Sequence, residues 1–151
     1  MVEWGVLVVL VVVLVGLFGR QLRVVQGQGE LAAVQSTLGT LRTAFVIDHL
    51  QQMVGVPKPH VTGQQRNPFL LLKNVPANYA GESAVLKLDT VAPGSWVFDP
   101  DCGCIGYLLL YPQWLESPPD TAAVWFRIDA PPNALQITPF KAYLWHGQSL
   151  N

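Results

Sequence analysis

The sequence begins with an uninterrupted apolar run that constrains the fold more than any other feature. Residues 4–19, WGVLVVLVVVLVGLFG, contain no charged side chain. A helix that is apolar on every side needs lipid or protein around its whole circumference. The remainder of this 151-residue chain is too short to enclose such a helix within its own core. The run therefore favours a helix embedded in a membrane over a buried core helix.

A cleaved secretory signal is the other interpretation of this run. Such a signal has a basic segment before its apolar part and a cleavage site of small residues after it. Here the run is preceded by Met1, Val2 and the acidic Glu3, and it is followed by Gly19-Arg20-Gln21. Neither flank fits a signal well, so a retained membrane helix is the preferred interpretation.

The length of the run agrees with a membrane span once its flank is included. Residues 4–19 extend for about 24 Å as a helix, somewhat less than the ~30 Å hydrocarbon core of a bilayer. Leu22, Val24 and Val25 lengthen the span if Arg20 and Arg23 reach toward the headgroups. These two arginines would place the following domain in the cytoplasm by the positive-inside rule. That conflict disappears if a basic leader precedes Met1, or if Met1 is not the native start.

A second helical pattern continues from the apolar run to about residue 53. Apolar residues recur at spacings of three and four, which is the signature of one buried helix face, at Leu31, Val34, Leu38, Leu41 and Phe45. The side chains between them predict a wet face: Gln35, Ser36, Thr37, Thr40, Arg42 and Thr43. Gly27 and Gly29 are unfavourable within a helix by about 1 kcal/mol each, and they predict a kink or an unwound section. The stripe is expected to pack on a sheet of the same chain, since two heptads are too few for a coiled coil.

The remaining sequence predicts a small β-rich domain. Asn67 and Pro68 are typical of a helix start, so a short helix is expected over residues 68–73, with a loop over residues 75–82. Five later segments have strand composition and are separated by turn residues such as Asp99-Pro100-Asp101 and 129–133. They are 95–98, 105–111, 122–128, 134–138 and 141–145. Consecutive strands with short turns predict an antiparallel meander with one buried face.

The predicted fold class is therefore α+β, with a long N-terminal helix packed on a small antiparallel sheet. We divide the chain into a membrane or filament-core half of the helix (1–25), an amphipathic half (26–54) and a β-rich domain (55–151). Nine basic and ten acidic residues nearly cancel, so no nucleic-acid partner is indicated. No nucleophile elbow or phosphate-binding glycine loop is present, and neither an enzyme nor a cofactor is predicted.

Cys102 and Cys104 are the remaining candidates for chemistry. Three interpretations are open: a local disulfide in an oxidising compartment, a pair of reduced bystanders, or a metal or redox site. A disulfide across a single residue is strained but possible. Two thiolates alone do not complete a metal site.

The layout resembles type IV pilins and the pseudopilins of type II secretion systems. The resemblance is carried by the apolar-then-amphipathic helix, by VQSTLGTL at residues 34–41, by PANYAGE at 76–82 and by PGSWVFD at 93–99 followed by Ile105-Gly106-Tyr107. It implies a long helix packed on an antiparallel sheet. It also implies a basic leader that ends in glycine ahead of the apolar run.

The resemblance also implies roles for three acidic residues. Glu3 corresponds to the family glutamate that pairs with the N-terminal amine of the neighbouring subunit, although it lies two residues nearer the start than in the family. The alternative is that Glu3 simply lies among lipid headgroups. Asp99 and Asp101 are weak calcium candidates, by analogy with some major pseudopilins, and ordinary turn chemistry is the preferred interpretation.

From these observations we expect a structural subunit of a type IV pilus-like filament or secretion pseudopilus, assembled through its N-terminal helix. Its partners would be other pilin or pseudopilin subunits, the inner-membrane assembly machinery and lipid. It would be a single-pass protein of the bacterial inner membrane with a periplasmic domain, and extracellular or in a pseudopilus after assembly. The alternative is a bitopic periplasmic accessory protein that does not polymerise.

Overall fold

The computed structural model describes residues 2–55, 67–83, 85–116, 123–129, 136–145 and 147–150. Within these ranges one long helix, α1 (Val2–Met53), precedes seven strands: β1 (Tyr79–Glu82), β2 (Trp96–Asp99), β3 (Cys104–Leu108), β4 (Ala123–Asp129), β5 (Gln136–Pro139), β6 (Leu144–Trp145) and β7 (Gln148–Ser149). The same residues include three short 3-10 helices at Pro68–Leu71, Val85–Thr90 and Pro112–Trp114. The α+β class is confirmed by this arrangement.

Helix α1 is continuous and ends where the sequence predicts. It passes through the boundary expected at residues 25 and 26, and Gly27 and Gly29 are both α-helical, so the predicted unwinding is wrong. Its end at Met53 is followed by Gly55 in the left-handed region, with φ of 72°. A glycine is suited to this position because it has no Cβ to clash with the preceding turn.

The main sheet is mixed, with the strand order β1-β2-β3-β4-β5. Strands β2 to β5 form an antiparallel meander from the first four predicted strands, whereas the fifth, 141–145, contributes β6 to a separate hairpin with β7. Strand β1 pairs with β2 in parallel, with Tyr79 opposite Trp96. A purely antiparallel sheet is therefore wrong, as is a loop over residues 79–82. The segment between β1 and β2 contains the Val85–Thr90 helix and is long enough for the crossover that parallel pairing requires.

The predicted contact between the helix stripe and the sheet is confirmed. All five stripe residues are at most 4% exposed and share one core cluster with residues of the sheet face, among them Trp96, Phe98, Ile105, Val124 and Phe126. Trp145 and Leu150 close this core from the C-terminal hairpin of β6 and β7. The helix is therefore fastened to its domain along its second half.

The opposite face of the sheet is also covered at its centre, which differs from the predicted single buried face. A second buried cluster contains Val97, Leu108 and Trp125 from the sheet together with Leu88 from the Val85–Thr90 helix. The crossover segment supplies this cover, and the sequence pattern of residues 85–90 did not reveal it. Burial on both faces explains why β2 and β3 contain hydrophobic residues at consecutive positions.

The Pro68–Leu71 helix begins as predicted, but it is a 3-10 helix and is shorter than expected. The Asn67 side chain accepts a hydrogen bond from the backbone N–H of Phe69 at 3.1 Å. Its amide also donates to the Tyr79 hydroxyl at 2.6 Å and to the Glu82 carboxylate at 3.1 Å. Asn67 therefore ties this helix to β1.

Candidate functional site: the exposed faces of the long helix

The first half of α1 is exposed on every side. The apolar half, which we define as residues 4–25, contains a strongly apolar stretch of 18 residues, none of which is buried within the described part of the chain. The large apolar side chains from Trp4 to Phe18 are between 52% and 76% exposed. Such a surface is stable only when lipid or other protein covers it. This helix is long and apolar enough to cross a membrane.

The residues predicted to flank this half are only partly described. Glu3 lies within α1, in its first turn, but its side chain is outside the described residues, as is that of Arg23. The expected pairing of Glu3 with a neighbouring subunit stays a prediction. Arg20 is exposed, which is compatible with the expected reach of its guanidinium toward headgroups.

A buried carboxylate holds the helix to the domain just beyond the apolar half. Glu30 is 7% exposed. Its carboxylate accepts hydrogen bonds from the Tyr107 hydroxyl at 3.1 Å, from the Leu110 N–H at 2.6 Å and from the Tyr111 N–H at 3.0 Å. Hydrogen bonds to a charged acceptor are stronger than neutral ones. Three of them at one side chain fix the end of β3 against the helix.

Glu30 was missed by sequence reasoning although a signal was present. It lies four residues before Val34, on the face of the helix that the apolar stripe occupies. A charged residue in that register either interrupts the stripe or meets donors inside the fold. The donors here are backbone groups of residues 110 and 111, which no side-chain pattern identifies.

The proximity of this carboxylate affects Tyr107. Burial, and after it the negative charge and hydrogen bond of Glu30, raise the pKa of the Tyr107 hydroxyl above its ordinary value. The neutral phenol is thereby favoured as a donor to Glu30. At neutral pH the hydrogen bond between Tyr107 and Glu30 therefore joins β3 to α1.

Gly27 allows the domain to approach the helix closely. A Cβ atom at this position would lie 2.7 Å from Cδ1 of Trp114, closer than side-chain carbons approach one another. The indole therefore lies directly against the helix backbone. Gly29, two residues later, has no such neighbour among the described residues, so of these two glycines only Gly27 permits a close contact there.

The second half of α1 turns all its charged residues toward the domain. Of Glu30, Arg42 and Asp48, the first and last are buried, and the Arg42 guanidinium donates to the Ile137 carbonyl at 3.2 Å. The assignment of Arg42 to the wet face is therefore wrong. The carbonyl at the β5 strand attracts the guanidinium inward because it provides an acceptor.

An uncharged outward face results. It consists of small and apolar side chains that point away from the sheet, at positions 32, 33, 36, 39, 40, 43, 46, 47 and 50. Thr40 and Thr43 donate their hydroxyl hydrogens to backbone carbonyls of Ser36 and Gly39, at 2.9 Å each. Val46, Ile47 and Leu50 are 50–53% exposed. We call this set the outward face.

The β2–β3 turn contains the remaining predicted site residues. The structure places a disulfide between Cys102 and Cys104, with Cα atoms 5.3 Å apart. Asp99 is 3% exposed, and its carboxylate accepts the backbone N–H of Asp101 at 2.9 Å. Asp99 thus closes the turn, as an aspartate at this position commonly does.

A metal site at this turn has weak geometric support. Asp99, Cys102 and Cys104 bring one potential ligand atom each to within 4.8 Å of one another, but both sulfurs belong to the disulfide. A disulfide sulfur is not the thiolate that metals prefer. The exposed Asp101 does not join this group.

No family model, curated protein or solved structure matches this chain.

Proposed function

We propose that this chain is a membrane-anchored structural subunit of a filament, of the type IV pilus or secretion-pseudopilus kind. The observation that carries the proposal is the pair of uncovered surfaces on α1. The apolar half is exposed around its whole circumference, and the outward face of the second half contains no charged residue. A monomer with a lipid anchor needs only the first of these surfaces.

The outward face supports polymerisation rather than simple anchoring. Small residues let helix backbones approach closely, and hydroxyls that bond within their own helix need no water. Residues 32–50 extend for about 27 Å along the axis. Neighbouring copies of α1 could pack along this whole length while the sheet domain stays on the far side.

The proposal includes a location and partners. The apolar half would reside in the bacterial inner membrane before assembly, with the domain in the periplasm. The partners would be other subunits of the filament and the inner-membrane assembly machinery. Glu3 would pair with the N-terminal amine of a neighbouring subunit, because a carboxylate surrounded by apolar helices is unfavourable without a partner.

The experiment is a shear preparation of filaments from a bacterial host that expresses the full chain, followed by electron microscopy and detection of the chain. Ser36→Glu places a charge on the outward face, and Gln148→Glu places one on the exposed β7 strand as the matched control. Filament yield is expected to fall at least about tenfold for Ser36→Glu, a change that ~1.4 kcal/mol produces. The Gln148→Glu variant is expected to assemble normally.

The opposite result has a clear meaning. If the wild-type chain occurs only as monomers that detergent extracts, the filament proposal is wrong. The chain would then be a bitopic accessory protein that does not polymerise. Near-ultraviolet circular dichroism of each purified variant checks that both exposed substitutions leave the domain folded.

A further inference from the structure

The turn at residues 110–114 lies at the same level as the start of the second half of α1. The backbone N–H groups of Leu110 and Tyr111 in this turn donate to the Glu30 carboxylate. The indole of Trp114, at the end of the turn, lies against Gly27. Both attachments are within a few residues of the apolar half. The turn is therefore attached to α1 at two points within five residues of the apolar half.

Helix geometry places this turn at the depth of lipid headgroups. Residues 4–25 extend for about 33 Å, which matches the ~30 Å hydrocarbon core. Gly27 lies about 3 Å beyond Val25 along the axis, and Glu30 about 8 Å beyond it. The headgroup layer occupies roughly 5–8 Å on each side of the core. Any segment held at Gly27 and Glu30 is thus within or beside that layer.

The composition of the turn is suited to that environment. Residues 108–115, LLLYPQWL, contain no charged side chain. Leu110 is 48% exposed, and Pro112 and Gln113 are also exposed, although an open turn on a water-soluble face is usually polar. Tyrosine and tryptophan are enriched at membrane interfaces because they combine an apolar ring with a polar group.

A second aromatic residue lies at the other end of the apolar half. Trp4 is 76% exposed. It is separated from the Gly27 level, at which Trp114 lies, by about 35 Å along α1. Two aromatic levels at this separation are the pattern expected on either side of a hydrocarbon core.

We propose that the 110–114 turn is a second membrane-contacting element, which rests in the interfacial layer of the bilayer beside the helix. Trp114, held at the Gly27 level, would lie nearest the acyl chains, while Leu110 and Tyr111, held at the Glu30 level, lie among headgroups. The Glu30 and Gly27 contacts would then fix the depth and tilt of the domain relative to the membrane. This inference rests on the membrane-embedded helix of the proposed function, and not on polymerisation.

The test uses the full chain in phosphatidylcholine vesicles with an environment-sensitive fluorophore on one introduced cysteine. Gln113→Cys reports on the turn and Phe18→Cys on the apolar half. Met53→Cys, about 39 Å beyond Gly27 along α1, is the control in water. Because Cys102 and Cys104 are joined, intact mass should show one label per chain. Quenching is measured with nitroxide placed on the lipid headgroup or high on the acyl chain.

The fluorophore at residue 113 is expected to emit at shorter wavelength and to be quenched by the shallow nitroxides severalfold more strongly than that at residue 53. Leu110→Ser should reduce this quenching. Leu50→Ser, which changes a similarly exposed leucine far along the helix, should leave the quenching at residue 113 unchanged.

Three results would overturn the inference. If the fluorophore at residue 113 is quenched as weakly as that at residue 53, while that at residue 18 is quenched strongly, the helix inserts and the turn stays in water. If residue 18 is not quenched either, the membrane helix of the proposed function fails together with the contact. If residue 113 becomes shielded only when subunits assemble, with no effect of lipid, the turn contacts a neighbouring subunit instead.

Discussion

The indole of Trp114 lies so close to the backbone of Gly27 that a Cβ atom there would be 2.7 Å from Cδ1 of the ring. This contact joins the segment after β3 to α1 just beyond the apolar half. It also distinguishes Gly27 from Gly29, because a Cβ atom added at Gly29 would meet no other part of the described chain within 4 Å.

Gly27→Ala is expected to destabilise the protein although alanine is the better helix former. The added methyl group forces the Trp114 ring to move, and overpacking of this kind typically destabilises by about 1–3 kcal/mol. Gly29→Ala is the control and should stabilise the chain by up to about 1 kcal/mol. The measurement is denaturant unfolding of the full chain in detergent, followed by tryptophan fluorescence. Equal effects of the two substitutions would contradict the close approach at Gly27.

Glu30→Gln is expected to lower the free energy of unfolding by about 1–3 kcal/mol, because one amide NH₂ replaces a carboxylate oxygen that accepts a backbone N–H. Glu30→Ala should destabilise more, since it leaves both N–H groups of residues 110 and 111 without this acceptor. Gln28→Ala, a change at an exposed position two residues earlier in the helix, should be nearly neutral. A neutral effect of Glu30→Ala would show that the carboxylate does not fasten the domain.

Leu41→Ala tests the packing between the helix and the sheet. Leu41 is fully buried, so the cavity should lower the free energy of unfolding by about 2–5 kcal/mol. Leu50→Ala removes the same atoms from a side chain that is 53% exposed. It should change the free energy of unfolding by less than about 1 kcal/mol. Similar losses for both would mean that α1 is not docked through the observed stripe.

Stability is expected to fall above about pH 10, the ordinary phenol pKa. Burial and the Glu30 carboxylate raise the pKa of Tyr107, so the folded chain retains a proton that the unfolded chain has lost. The contribution is therefore fully present below pH 10 and declines as pH rises beyond it. Tyr107→Phe should be less stable at neutral pH, through loss of the hydrogen bond to Glu30, but should show a shallower alkaline decline.

Tyr79 provides an independent check on this pH dependence. Its pKa is raised by burial, lowered by the hydrogen bond from Asn67 and raised by the Glu82 carboxylate, with a net increase. Tyr79→Phe should therefore also reduce the alkaline decline. Unfolding curves at several pH values above neutrality measure both variants. An alkaline slope that neither substitution changes would contradict the assignment.

The disulfide predicts a mass lower by two hydrogens than that of the reduced chain. Replacing both Cys102 and Cys104 with serine should destabilise by well under the ~3 kcal/mol of a fifteen-residue loop, because so short a loop restricts the unfolded chain little. Thiol labelling before and after reduction provides the measurement. Labelling of both cysteines without a reductant would show that they are free thiols.

The local signals in the sequence predicted much of the fold. The spacing of Leu31, Val34 and Leu38 specifies one buried helix face, and Asn67 before Pro68 specifies a capped start. Each depends on residues within a few positions of each other, which is the range over which helix periodicity and capping act.

The polar contacts that join α1 to the sheet domain could not be predicted in this way. Glu30 meets groups about 80 positions later in the chain, and Arg42 meets a carbonyl 95 positions later. The N–H groups that donate to Glu30 and the carbonyl that accepts from Arg42 are backbone groups, which nearly every residue has, so no residue type marks them. The parallel pairing of β1 was missed for a related reason, since the crossover helix at 85–90 shows no clear apolar period.

The helix stripe is synthesised well before the residues that cover it in the folded domain. Leu31 to Phe45 leave the ribosome about a hundred residues before Trp145 and Leu150, which complete the same core. At roughly 5–20 residues per second, the stripe is without its native cover for about 5–20 s. In that interval an amphipathic helix next to an inserted apolar segment can lie along the bilayer surface. If the chain is anchored as we propose, the same membrane would cover the stripe while the sheet is being made.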